Sequence, residues 1–394
     1  MNKEILMPIT VKERIQSIDV IRGLAILGIF LVNLPSFYAP MLYLDPEKWW
    51  SGSLNQGTNQ FIDIFAQASF YTLFSFLFGF GMVIFKERAI AKGYSYYRLI
   101  TRRLLVLLII GCIHAFLIWH GDILISYAIV GAIMILFHKA KPVTLLIWSL
   151  LLIFIPSVLI SGLMILASLV APEVAIYPYD ELLAAKLVEV YSSGSFAEIT
   201  LQRIEDWYYI NNLANGFFLI LTLLPMFLLG AFIAKSKWFE NTNEHLKKIR
   251  VLWLISLVIG LPTKLAPYLF GKNLGTDYIQ DTIGGPATAI LYATSIVLLV
   301  RLPIWNKILS PLAAVGRLSM SNYLFQSFIC TLIFYSYGLG FYNKMQPFTG
   351  TLLAVGIFIV QIFLSKLWIK RFRYGPVEWL WRTLTYGQKV QIKK

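Results

Sequence analysis

Charge is what this chain has least of. Only 14% of its 394 residues are Asp, Glu, Lys or Arg, against about 25% in a soluble domain, so its core was not built for water. Cysteine is nearly absent. Cys112 and Cys330 both lie inside apolar runs, which excludes a disulfide framework and a thiolate zinc site. No Walker loop, Gly-x-Ser-x-Gly elbow or metal-ligand cluster occurs, nor any internal repeat or low-complexity segment. The Phe-Gly-Phe-Gly run with Gly79 and Gly81 follows no strand and reads as helix packing rather than a phosphate loop. What abounds is apolar: 58% hydrophobic, 15% aromatic, mean hydropathy +0.70. The net charge of +14 has no soluble basic domain to carry it. Nucleic acid is therefore not expected, and contact with anionic lipid at one membrane face accounts for the charge.

Apolar stretches long enough to cross ~30 Å of hydrocarbon fall at 18–37, 61–85, 104–119, 123–137, 143–170, 209–234, 251–270, 282–300, 309–335 and 348–368. With the N-terminus in the cytoplasm, 28 of the 34 basic residues fall on the inner side. The expected fold is an all-α integral membrane protein of about ten transmembrane helices, multi-pass in the cell (inner) membrane, with both termini cytoplasmic. Residues 1–394 read as one polytopic domain. Within it, 15–140 hold helices 1–4 and the site, 171–207 an outer amphipathic connection, and 208–386 the C-terminal helices. The N-terminus reads as a retained first span, since Arg22 interrupts the apolar run and no small-residue cleavage site follows. The connection, amphipathic over 181–191, is either a lid over an outward-facing site or a connector lying on the membrane.

Ionisable and amide groups in hydrocarbon are costly and mark function, although each also has a plainer reading as an interhelical hydrogen bond. In the first span Asp19 and Arg22 share a helix face, with Asn33 on that face ~16 Å deeper. The second carries a stripe of Gln60, Asp63, Gln67 and Tyr71, expected to line a hydrated pocket. The third is densest, with Arg102, Arg103, His114, His120 and Asp122. Histidine suits proton transfer near neutral pH, and Asp122 is placed to orient or charge-stabilise one. The ninth carries Arg317, then Ser319, Asn322 and Gln326 on one face. His138 and His245 fall in inner connections.

Four pieces, Ser17-Ile-Asp-Val-Ile-Arg-Gly23, Phe74-Ser-Phe-Leu-Phe-Gly79, Gly121-Asp-Ile-Leu124 with Tyr127-Ala128, and Gly375-Pro-Val-Glu-Trp-Leu-Trp-Arg382, resemble the YeiB-like family of bacterial membrane proteins. The likeness runs over nearly the whole chain, and that family's C-terminal half is a domain of unknown function. More distantly, the chain is similar to the ten-span membrane acyltransferase superfamily of polysaccharide O-acetyltransferases and the lysosomal heparan glucosaminide acetyltransferase. Asp19, Arg22 and Gly23 match its first-helix pattern, but Asn33 stands where that pattern has His. Gly316, Arg317, Ser319, Tyr323 and Leu324 match a later helix, but Gln326 stands at its terminal His. An amide holds a carbonyl yet takes no proton at neutral pH, so a base has to come from elsewhere, and His114 is the substitute.

That resemblance implies transfer of an acetyl or other acyl group from cytosolic acyl-CoA to a hydroxyl or amine. The acceptor would be a small molecule or glycan at the outer side, and no metal is called for. Arg22, Arg98, Arg102 and Arg103 would hold the donor's phosphates. Asn33 or Gln326 would donate to the thioester carbonyl, and His114, tuned by Asp122, would be base or acyl carrier. Asp19, Asp63, Gln67, His120, Asn322, Ser319 and Arg317 would line the pocket. The alternatives are transport or export of a small polar solute, and a non-catalytic membrane protein. Against transport, no inverted repeat or Gly/Pro-broken helix pair is visible. Membrane lipids are the expected surroundings, and assembly as a homodimer stays open.

Overall fold

The computed structural model describes residues 14–170 and 179–394. Lys3, Lys12 and the start of the outer connection, 171–178, lie outside the described residues. The elements run α1 (Gln16–Asn33), the short α2 (Pro35–Tyr38) and α3 (Pro46–Trp49), then α4 (Ser53–Phe65) and α5 (Ser69–Ala91). α6 (Tyr96–Ile113) continues through a π-helical turn, His114–Ile118, to a tight connection and α7 (Leu124–Met134). Next come α8 (Pro142–Val170), α9 (Glu181–Ser193), α10 (Phe196–Asn211), α11 (Leu213–Lys235) and α12 (Leu246–Phe270). α13 (Leu274–Ile279), a π-helical turn Gln280–Gly284 and α14 (Gly285–Leu299) are continuous. α15 (Pro303–Arg317), α16 (Ser319–Phe334), α17 (Pro347–Arg371) and α18 (Pro376–Tyr386) complete the chain. Among the described residues there is no β-strand beyond one isolated bridge, Phe372 to Lys393.

Eight of these helices, single or continuous, are long and apolar enough to cross a bilayer, and the chain is a multi-pass membrane protein. Burial sorts them. Of their most apolar windows, 61–67% is buried in α1, α4–α5 and α11, against 17–28% in α8, α12 and α17. The outer helices turn leucine and phenylalanine outward, as α8 does with Phe154, Leu159, Leu163 and Leu166, which suits a hydrocarbon solvent. The inner ones meet backbone to backbone. A Cβ on Gly79 would lie 2.0 Å from the Phe227 carbonyl oxygen, and one on Gly230 would lie 1.9 Å from that of Phe76. Only glycine permits that approach of α5 and α11. Gly316 does the same for α15 against α1, 1.8 Å from the Asp19 carbonyl oxygen.

Four expected spans take a different form. The fourth of the ten, 123–137, is only the shorter apolar helix Leu124–Phe137. The stretch expected as a ninth span, 309–335, is two helices. Leu318 leaves helical geometry (φ −115°, ψ 31°), and the Glu378 carboxylate accepts from the Met320 and Ser321 amides at 2.8 and 3.1 Å, satisfying orphan donors of α16. The sixth starts late, because Asn212 caps α11 by accepting from the Asn215 amide. The second is interrupted at Ala66–Ala68, where Ala68 adopts φ +57° at a cost of ~1–3 kcal/mol. The carbonyls freed there are met by the Lys264 ammonium (2.9 Å, on Gln67) and the Tyr292 hydroxyl (2.7 Å, on Phe65). Gly285 packs on Ala68 and Gly284 on the Lys264 stem, so the π turn of the eighth span abuts the break. The break escaped the sequence because Ala66-Gln67-Ala68 contains neither glycine nor proline.

The connection after α8 folds into α9 and α10 and docks. Ala184, Leu187, Tyr191 and Ile199 are buried with Phe37, Tyr38, Trp119 and Phe334, and the Ser336 amide donates to the Tyr191 carbonyl. This is the loop-covered end of the bundle. At the other end α18 packs on α6.

Candidate functional site

Two cavities occupy the bundle interior, one toward each end. The first, about 170 Å³, is lined by Arg14, Arg22, Arg103, Arg317 and Arg382, with Ser319 and Glu378. Local partners hold four of the five cations in place. Asp19 pairs with Arg14 at 3.3 Å and Arg22 at 3.2 Å. Arg103 stacks 3.6 Å over the Trp381 ring, whose indole N–H donates to the Arg103 carbonyl, and Arg382 lies over Tyr374. The Arg317 Nε is buried without a hydrogen-bond partner. Burial pushes the Glu378 carboxyl above its usual range, while Ser321 and the α16 amides draw it back. Five arginines against two carboxylates give this cavity a positive potential.

The second cavity, about 190 Å³, carries uncharged polar groups and one carboxylate: Asn33, Tyr71, His120, Asp122, Asn211 and Tyr323. It lies beneath α10. There Asp206, fully buried, accepts from the Tyr191 hydroxyl at 2.6 Å and the Gln202 amide at 3.0 Å. Asp206 approaches His120 Nδ1 at 3.7 Å. Burial lowers the His120 pKa although Asp206 pushes it up. Arg203, on the same helix, is wholly buried and donates to the Leu117 carbonyl and the Tyr337 hydroxyl.

Ile29, Ile123 and Tyr323 line both cavities, and behind that junction sits His114. Its ring lies 5.1 Å from the Tyr323 ring, and its Nδ1 is 2.8 Å from Asp122 Oδ1. Asp122 is pinned in turn by the Ile125 amide at 2.8 Å. Nδ1–H donating to a carboxylate leaves Nε2 as the basic nitrogen. That Nε2 is buried and has no partner. A buried polar atom left unpaired costs ~1–3 kcal/mol and calls for a reason. The π-helical turn beginning at His114 is a frequent companion of functional side chains.

The expected residues divide. Arg22, Arg103, Arg317 and Ser319 line the arginine cavity, and Asp19 holds two of its cations. Asn33, His120 and Asp122 line the other, with His114 behind. Arg98 and Arg102 do not join them. Both are exposed, and Arg102 donates to the Leu384 carbonyl. Asp63 and Gln67 lie at the break in the second span instead, Asp63 accepting from Tyr268 and Gln280 at 2.7 Å each. The break also splits the second-span stripe, leaving Tyr71 alone in the cavity. Gln326 is a correction to the oxyanion assignment. Its amide donates to Gln361, which donates to the Asn322 carbonyl, while Asn322 donates to Ser365. Those amides are consumed between α16 and α17, and neither Asn322 nor Gln326 lines the two cavities.

Arg14, Arg382, Glu378, Tyr323 and Asp206 had been given no site role. For Glu378, Arg382 and Tyr323 a signal existed, since all three stand in the motif pieces quoted above. For Asp206 there was none, because it reaches the site only once α10 folds back.

A family model described as "Protein of unknown function (DUF418)" matches residues 233–388. The chain is 40% identical over 408 residues to "Uncharacterized protein YxaH" of Bacillus subtilis (strain 168), covering 99% of this chain and 98% of that one. It is 30% identical over 391 residues to "Uncharacterized protein YeiB" of Escherichia coli (strain K12), covering 95% and 96%. A third relative, "Uncharacterized 39.9 kDa protein in amylase 3'region" of Bacillus acidopullulyticus, is 29% identical over 393 residues, covering 98% and 97%.

Proposed function

The chain belongs to the YeiB-like family of membrane proteins, and from that premise we propose that it is a membrane acyltransferase working through the junction at Tyr323. The observation that carries the reading is the meeting of an arginine-lined cavity with a neutral polar one beside a buried His–Asp pair. The arginine end is taken as the cytosolic one by the distribution of basic residues. An acyl-CoA would lay its phosphates on Arg14, Arg22, Arg103, Arg317 and Arg382. A cavity of about 170 Å³ is below the ~300–1,000 Å³ that encloses a whole ligand, so the phosphates would stay among the arginines and only the thioester-bearing arm would pass on to the junction. The neutral cavity would take a hydroxyl or amine acceptor from the outer side.

In the transfer His114 Nε2 takes the acceptor proton as the acceptor oxygen or nitrogen attacks the thioester carbonyl. The new C–O or C–N bond forms and the C–S bond breaks. The departing thiolate then takes the proton back from the imidazolium, which Asp122 stabilises meanwhile. Asn33, in the neutral cavity, is the amide positioned to donate to the carbonyl oxygen.

Thermal unfolding of the detergent-solubilised protein with acetyl-CoA, CoA and ATP tests the donor. A ligand at ~100 times its Kd adds ~2.7 kcal/mol. The expected shift disappears in Arg103→Ala or Arg317→Ala. Absence of any shift with any acyl-CoA contradicts the reading. Transport keeps one specific support, the helix break at Ala66–Ala68, where the buried Lys264 ammonium meets the freed Gln67 carbonyl beside the π turn Gln280–Gly284, since interrupted helices form solute sites in transporters. Solute flux into liposomes without acyl-CoA would favour it.

A further inference from the structure

A third cavity lies apart from both others. It is a groove of about 780 Å³ between α16 and α17, closed at one end by the start of α18. Its walls are apolar, with Phe325, Leu364, Leu367 and Phe372. Its floor is polar but spent. Asn322, Gln361 and Ser365 bond one another and Gln326 at 2.8–3.1 Å. Nothing on the floor asks for a polar guest, so what fills the groove is hydrocarbon.

The mouth is the opposite. Lys370 and Arg371 line it, both exposed, and no carboxylate lines the groove. The C-terminal segment adds to this charge. The Arg373 amide donates to the Ile392 carbonyl at 2.8 Å and the Lys394 amide to that of Arg371 at 3.1 Å. The antiparallel bridge Phe372–Lys393 lies between them, so Lys393 and Lys394 are pinned beside Arg371. Trp368, stacked on Phe372, sits at the same level, as aromatic rings do at a membrane interface.

We infer that this groove binds an anionic phospholipid of the surrounding bilayer, one acyl chain along the Phe325–Leu364–Leu367 wall and the phosphate among Lys370, Arg371 and the two tail lysines. An apolar slot lined by two cations and no carboxylate, with two further lysines on the segment paired beside Arg371, matches that amphiphile and not a zwitterionic one. The site stands whether or not the chain transfers acyl groups.

Native mass spectrometry of the full chain, equilibrated with equal amounts of phosphatidylglycerol and phosphatidylcholine, tests it. One phosphatidylglycerol per chain is expected to be retained in preference. Lys370→Ala/Arg371→Ala should weaken retention by about fivefold per cation removed. Leu364→Trp should abolish retention of both lipids by filling the slot with charges intact, and gives a second handle if the double variant does not fold. Lys247→Ala/Arg250→Ala, removing two exposed cations of α12, should change nothing. Equal retention of the two lipids, an indifferent Leu364→Trp, or equal loss in the α12 control would each overturn the site. So would displacement of the lipid by inorganic phosphate alone, or a dimer that buries the groove without lipid.

Discussion

The His114–Asp122 pair and the Asn322–Gln326–Gln361–Ser365 ladder are built from similar materials, polar side chains buried among apolar helices. They differ in what is left over. In the ladder Gln326, Gln361 and Asn322 each donate to a neighbour on the facing helix, and it ties α16 to α17. In the pair, one imidazole nitrogen bonds a carboxylate and the other faces nothing, at the point where two cavities meet. A satisfied polar cluster in a membrane is structure. One that retains an unmet atom beside a cavity is poised for a partner.

The sharpest way to break this contrast is to cut each cluster and read both activity and stability. His114→Asn should lower acyl transfer by about 10²–10⁴-fold with a near-native melting temperature, since the lost nitrogen bonded nothing. Gln361→Leu should do the reverse. Transfer persists, while the melting temperature falls with the loss of two bonds, each worth ~0.6–1.7 kcal/mol between membrane helices. An inactive Gln361→Leu protein of unchanged stability would erase the distinction.

Glu378→Ala comes next in size. It strips two amides and a hydroxyl of α16 of their acceptor and should cost ~1–3 kcal/mol, with Glu378→Gln recovering part of it in the same thermal scan. The smallest effect is a slope. Burial holds the His120 pKa below its usual ~6.5, so the unfolded chain binds the proton more readily. The stability from keeping this ring neutral is complete above pH ~6.5 and is lost as pH falls beneath it. Melting temperatures at pH 7.5 and 5.5 should differ more in the wild type than in His120→Gln, and parallel curves would refute the assignment.

Much of the bundle was legible because hydropathy reports membrane spans directly, and eight expected spans coincide with described helices long and apolar enough to cross. What escaped was tertiary. The break at Ala66–Ala68 has no local breaker and stands because Lys264 and Tyr292, far along the chain, meet its carbonyls. The division at Leu318 depends on Glu378 from the last helix. In the site, His114 and Asp122 were legible as a pair because eight residues separate them across one tight connection. Whether an amide is spent or available was not, which is why Gln326 and Asn33 looked alike and lie so differently. Arginine count alone did not separate Arg103, stacked on Trp381, from exposed Arg98.

The most direct test of the central claim is a structure of the protein in nanodiscs with acetyl-CoA. Phosphates are expected among Arg22, Arg103, Arg317 and Arg382, with the acetyl group at Tyr323 within reach of His114 Nε2. Density for the donor anywhere else, or none at saturating acetyl-CoA, would contradict it.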